Sequence, residues 1–139
     1  MSLQPEQIDH INLVNWFNYQ FKELSDDFHH FASERRCSIQ EGRTLKRMGV
    51  KRGVADFFLA FPINGKSGLW IELKVGKNKP TQEQIDFLNR KSMRGYEALI
   101  VWGFEAAKEM ILVYLRDYIK LKCRQKSGMD INQLSKEQF

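Results

Sequence analysis

Gly49-Val-Lys-Arg-Gly-Val-Ala-Asp-Phe-Phe-Leu-Ala-Phe-Pro62, continuing to Gly68-Leu-Trp-Ile-Glu-Leu-Lys-Val75, is the stretch around which the chain is organised. Phe57 to Phe61 is apolar and aromatic, 62–68 is dense in turn formers, and Leu69 to Val75 alternates, so the unit reads as a β-hairpin with its turn near Asn64-Gly65. The period of two sets Leu69, Ile71, Leu73 and Val75 on one face of the second strand and Trp70, Glu72 and Lys74 on the other. Asp56, at the start of the first strand, is brought alongside Glu72 by such a hairpin.

Two carboxylates at that separation repel unless a cation stands between them. A hard divalent ion with oxygen ligands, Mg²⁺ or Mn²⁺, answers that need. Lys74 then stands beside it, where an ammonium can orient or deprotonate a water, or steady negative charge developing on a phosphate. Alone, a Glu-x-Lys on a strand face reads as an ordinary solvated ion pair. The combination with Asp56, Gly49, Gly53 and Gln84 turns the reading towards a catalytic site.

This pattern resembles the PD-(D/E)xK nucleases, with Ala55-Asp56 for Pro-Asp and Glu72-Leu73-Lys74 for Glu-x-Lys. The longer run is similar to the VRR-NUC branch, in which Gly-Val-x-x-Gly-x-x-Asp, an apolar strand and Leu-x-Ile-Glu-Leu-Lys lead to a Gln on the next helix, here Gln84. The similarity covers roughly Glu6 to Leu115; Ala55 departs from the usual Pro. The resemblance implies a restriction-endonuclease-like α/β fold, a mixed central sheet flanked by helices. It implies a metal held by Asp56, Glu72 and the Leu73 backbone carbonyl, with a Glu of the first helix close by. Glu6 is the residue at that place, with Gln7 and Asp9 as alternatives. It further implies that Gln84 touches the metal-bound water or the phosphate. As Thr81-x-x-Gln84 the same residue reads as a capping box, which competes for the one side chain.

The 139 residues bound a single domain, 42% hydrophobic and 28% charged. We place the nuclease-like domain at 1–123 and a polar tail at 124–139. No apolar run reaches membrane-span length and the N-terminus lacks a signal-peptide layout, so the chain reads as intracellular, with no membrane partner. Cys37 and Cys123 lack zinc-ligand or disulfide spacing and read as small buried hydrophobes.

Net charge is +5, which favours polyanionic partners. Arg35, Arg36, Arg43, Lys46, Arg47, Lys51 and Arg52 face a single acid, Glu41, in the segment running into the Asp56 strand, and Lys77 and Lys79 follow the Glu72 strand. Basic flanks to an acidic site suit a phosphodiester backbone. No P-loop spacing is present.

Around this centre, Pro5 to about Lys22 reads as a helix with Ile11, Val14, Phe17 and Phe21 on its buried stripe. Leu24 to Phe31 holds a short strand whose His29 and His30 read mainly as ordinary strand residues, with a DNA contact as the alternative. Ser38 to Met48 reads as a basic helix burying Leu45 and Met48 and closed by Gly49. A helix runs from Thr81 to about Met93, and Ala98 to Trp102 reads as a strand buried on both faces and parallel to the Glu72 strand. One helix, Phe104 to about Lys120, packs through Ala107, Ile111, Tyr114 and Leu115 or Tyr118, and Ile131 to Leu134 makes at most a short turn.

The function expected is a Mg²⁺- or Mn²⁺-dependent endonuclease on DNA. A chain this short resembles stand-alone domains that pair as homodimers and cut branched DNA such as four-way junctions, in the manner of Holliday-junction resolvases. The rivals are a restriction-type enzyme specific for short sites and a non-catalytic DNA-binding module or partner-dependent subunit.

Overall fold

The computed structural model describes residues 2–31 and 38–127. Arg35, Arg36, Cys37 and the turn expected at 131–134 therefore lie outside the described residues. In chain order the elements are α1 (Pro5–Gln20), a 3-10 turn (Lys22–Asp27), β1 (Phe28–His30), α2 (Ile39–Arg47), β2 (Phe57–Leu59), β3 (Leu69–Lys74), α3 (Gln82–Met93), β4 (Glu97–Trp102), α4 (Phe104–Tyr114) and α5 (Arg116–Lys126).

The expected hairpin is present. β2 and β3 pair antiparallel with Phe57 opposite Ile71 and Leu59 opposite Leu69. Asn64 at φ 52° and Gly65 at φ 77° turn the chain between Ile63 and Lys66. Two successive positive φ values match the twist of flanking strands, which is why Asn-Gly serves here. β4 adds parallel to β3, with Glu72 beside Ile100 and Lys74 beside Trp102. β1 pairs antiparallel with β2, giving a mixed sheet in the order β1-β2-β3-β4.

Helices cover both faces. Leu69, Ile71 and Leu73 are completely buried in a cluster with Leu13 and Phe17 of α1 and Ala107 and Ile111 of α4. The rings of Phe17, Phe28 and Phe57 stack in series, with centroids 4.3 Å and 5.2 Å apart. Completely burying one such ring contributes roughly 1.5–3 kcal/mol. On the opposite face Trp70 packs with Ala55 and with Leu88 and Phe87 of α3.

Several expectations are corrected. The buried stripe of α1 runs through Leu13 and Phe17, while Ile11 is 44% exposed. α1 stops at Gln20, and the 3-10 turn takes up most of the segment before β1. β4 is an edge strand among the described residues, so only Val101 of it is buried and Trp102 is exposed. The last helix is two, broken at Leu115, which keeps that side chain buried, and α5 runs to Lys126. α2 buries nothing and Met48 is exposed. Its end is nonetheless built as expected: the Gly49 and Val50 amides donate to the carbonyls of Lys46 and Leu45, a paired C-terminal cap. Cys123 is exposed, because α5 lies at the periphery and buries no residue.

Candidate active site

Antiparallel pairing puts the end of β1, the start of β2 and the end of β3 at one end of the sheet. His30, Asp56, Glu72 and Lys74 meet there. One step beyond the β2–β3 ladder, Asp56 falls opposite Glu72. The Asp56 carboxylate accepts a hydrogen bond from the Leu73 amide at 2.8 Å, and its backbone carbonyl accepts from the Phe31 amide at 2.7 Å. The His30 ring, at Nδ1, sits 3.0 Å from the same carbonyl. Asp56 is thus fixed through both side chain and backbone.

Glu72 and Lys74 share the face of β3 that carries Trp70, as the strand period requires. They are buried, not solvated: Glu72 is 0% and Lys74 6% exposed, with Nζ 3.1 Å from Oε1. Neither Glu72 oxygen has a hydrogen bond of acceptable geometry. Burial first, and the charge of Asp56 second, push the Glu72 carboxyl up to about 7, with Lys74 pulling the other way. A buried carboxylate beside a second one is costly in a folded chain even with Lys74 paired to it, and a cation would offset that cost.

On the α1 side of the sheet end, Glu6 and His10 stand one helical turn apart. His10 Nε2 is 3.6 Å from Asp56 Oδ2 and 3.9 Å from Glu6 Oε1, and ligating atoms of the three residues all lie within 4.8 Å of one another. The ring meets Phe57 and His30 edge-on, at 5.2 Å and 5.1 Å between centroids. Burial lowers the pKa of His10, against the opposing pull of Glu6, the Leu73 backbone and Asp9. Neutral imidazole, the form that ligates metals, is therefore favoured. Of the alternatives weighed for Glu6, Gln7 is turned to the helix start, where its Oε1 accepts from the Gln4 amide at 2.9 Å.

His10 went unnoticed in the sequence. The available signal was its i+4 spacing from Glu6, which puts both residues on one helix face.

Gln84 is 2% exposed and makes the capping box: its Oε1 accepts from the Thr81 amide at 2.8 Å, and its own amide donates to Thr81 Oγ1 at 3.2 Å. The preceding loop reaches this helix start through Gly53, at φ +79°, where an added Cβ would lie 2.8 Å from backbone of Glu83. A side chain at 53 would push the loop off α3. Arg43, Lys46, Arg47, Lys51, Arg52, Lys77 and Lys79 are all exposed. The loop bearing Lys77 and Lys79 is tied to β4 by the Trp102 indole, which donates to the Asn78 carbonyl at 2.8 Å.

The donor set fits a hard divalent cation: Glu6, His10 and Asp56 offer two carboxylates and an imidazole whose ligating atoms lie within 4.8 Å of one another, and Glu72, outside that group and paired with Lys74, adds a further carboxylate at the same sheet end. Asp56 joins the two halves, since its charge acts on Glu72 while its Oδ2 faces His10.

This architecture is the restriction-endonuclease-like fold. A solved structure described as a VRR_NUC domain protein superposes on the chain with a TM-score of 0.71 and 26% sequence identity, covering 84% of this chain and 92% of that one. That similarity supports the VRR-NUC assignment drawn from the motif. No family model and no curated protein matches the chain.

Proposed function

We propose that the chain is a metal-dependent endonuclease of the VRR-NUC type that hydrolyses DNA phosphodiesters. The observation that supports this reading is the cluster of Glu6, His10 and Asp56, whose ligating atoms lie within 4.8 Å of one another, at the sheet end where the completely buried Glu72 is paired with the Lys74 ammonium and feels the charge of Asp56. Three carboxylates and an imidazole gathered at one sheet end, with one ammonium among them, are the donors a divalent cation would take.

Asp56, Glu72 and the Leu73 carbonyl would hold Mg²⁺ or Mn²⁺, with Glu6 beside them. When bound, the cation supplies Lewis acidity and neutralises charge on the phosphate. Lys74, already held against Glu72, orients the attacking water and steadies charge in the transition state. Gln84, at the start of α3, would contact the water or a phosphate oxygen through its side-chain amide while its Oε1 caps the helix. Attack in line with the 3′ oxygen leaves a 5′ phosphate and a 3′ hydroxyl. The exposed Arg43, Lys46, Arg47, Lys51, Arg52, Lys77 and Lys79 hold the DNA backbone, and Arg35 and Arg36 extend that set. The nuclease domain is assigned to 1–123 with a polar tail after it, and an intracellular place of action follows from DNA as substrate.

Branched DNA is the favoured substrate and a homodimer the favoured form. Two copies bring two sites to two strands, and Ile8 and Ile11, both above 40% exposed on α1, offer apolar surface for pairing. The test is digestion of an end-labelled four-way junction and a matched linear duplex, each with Mn²⁺, Mg²⁺ or EDTA. Paired metal-dependent cuts on the junction support the whole reading; discrete bands from the duplex would indicate a sequence-specific enzyme. Binding without cleavage in either metal would leave a DNA-binding module.

A further inference from the structure

We propose that His10 is an inner-sphere ligand of the catalytic cation through Nε2, and that this nitrogen makes the site prefer Mn²⁺ to Mg²⁺. The inference rests on the metal-dependent reading above and adds a ligand of a different chemical type to the carboxylate and carbonyl set.

The ordinary role for a half-buried histidine is to donate and accept hydrogen bonds within the core. His10 does not do this at Nε2, which is buried and has no hydrogen-bond partner. Its nearest oxygens, Asp56 Oδ2 at 3.6 Å and Glu6 Oε1 at 3.9 Å, are beyond the roughly 3.2 Å limit of a good N–H···O contact. Two ligand atoms at right angles around a cation with bonds of about 2.1 Å stand roughly 3 Å apart. The observed spacings lie just outside that, so small side-chain movements close the three atoms on an ion. The ring is held for the purpose: Phe57 and His30 wall it on its edges, and the helix sets Glu6 and His10 on one face. At the same sheet end Glu72, completely buried with the Lys74 ammonium 3.1 Å from Oε1, is a further carboxylate that a cation there would serve.

Ligand type then decides selectivity. Mg²⁺ is matched by oxygen donors and water, whereas an imidazole nitrogen favours first-row transition metals, of which Mn²⁺ also accepts a carboxylate-rich site.

The test is Mn²⁺ binding to the full-length protein followed by electron spin-echo envelope modulation. Wild type is expected to show ¹⁴N modulation from a directly bound imidazole, and His30→Gln to keep it. His10→Gln, and His10→Asn as a second variant, should lose the modulation, keep the native circular dichroism, and bind Mn²⁺ about tenfold or more weakly, with a smaller loss for Mg²⁺. A tenfold loss is the lower end of what removing even an outer-sphere partner costs. Mn²⁺ bound in an Asp56-dependent way without ¹⁴N modulation would overturn the His10 assignment and leave the metal-nuclease reading standing. Absence of Mn²⁺ binding in wild type would overturn both.

Discussion

The Leu73 amide donates to Asp56 Oδ2 at 2.8 Å, linking β3 to the residue that precedes β2. The bond occupies one lone pair and aims the carboxylate across the sheet end, towards His10 on one side and Glu72 on the other. Asn at 56 can still accept from the Leu73 amide through its carbonyl oxygen. Asp56→Asn is therefore expected to fold and to lose metal-induced thermal stabilisation, as measured by melting with and without Mn²⁺.

Glu72→Gln is expected to stabilise the metal-free protein. The substitution removes, at nearly constant shape, a buried carboxylate whose ionisation burial and the charge of Asp56 oppose more than Lys74 favours it. The gain is expected to be modest, on the order of 1 kcal/mol, because the raised carboxyl marks a net cost of ionisation in the fold while the buried Lys74 loses the Glu72 carboxylate beside it, and cleavage is lost. A lower Tm in the metal-free variant, read by calorimetry, would show that the Lys74 pair outweighs desolvation.

Gln84 can be separated into its two roles. Thr81→Ala and Gln84→Ala each break one arm of the capping box and should cost about 1 kcal/mol of stability. If Gln84 also contacts the water or phosphate, only Gln84→Ala lowers kcat, by tenfold or more. Equal kcat values for the two variants would leave Gln84 as a cap alone.

A pH dependence is built into the seam between α5 and the 3-10 turn. Lys122 and then Tyr118, whose hydroxyl donates to Glu23 Oε1 at 2.6 Å, hold the Glu23 carboxyl at about 2, below its ordinary 4.5. A depressed folded-state pKa means the fold favours the ionised form. The contribution is full above 4.5, declines as pH falls, and is lost on passing about 2. Glu23→Gln should lower stability modestly at pH 7, by under about 1 kcal/mol for so exposed a pair, seen as a lower Tm, with the difference vanishing near pH 2.

The hairpin, the parallel β4 and the shared face of Glu72 and Lys74 on β3 were legible because each follows from a local rule. Alternation sorts Glu72 and Lys74 from Leu73, Asn64-Gly65 marks the turn, and the return through α3 makes β4 parallel. What failed depends on tertiary placement. Apolar residues lie on more than one side of α1, so spacing alone did not choose Leu13 over Ile11. A continuous apolar run does not reveal that β4 ends the sheet, and a cysteine does not reveal that its helix is peripheral. His10 was missed for the same reason: its meaning depends on which residue of α1 faces Asp56.

The most direct test is single-turnover cleavage of a four-way junction by wild type and by Asp56→Asn, with Mn²⁺ and with EDTA. The account predicts cleavage by wild type in Mn²⁺ alone, leaving 5′-phosphate ends. It predicts a rate at least about 10³-fold lower for Asp56→Asn, the equivalent of losing some 4 kcal/mol of transition-state stabilisation. Cleavage that persists in EDTA, or an Asp56→Asn rate close to that of wild type, would contradict it.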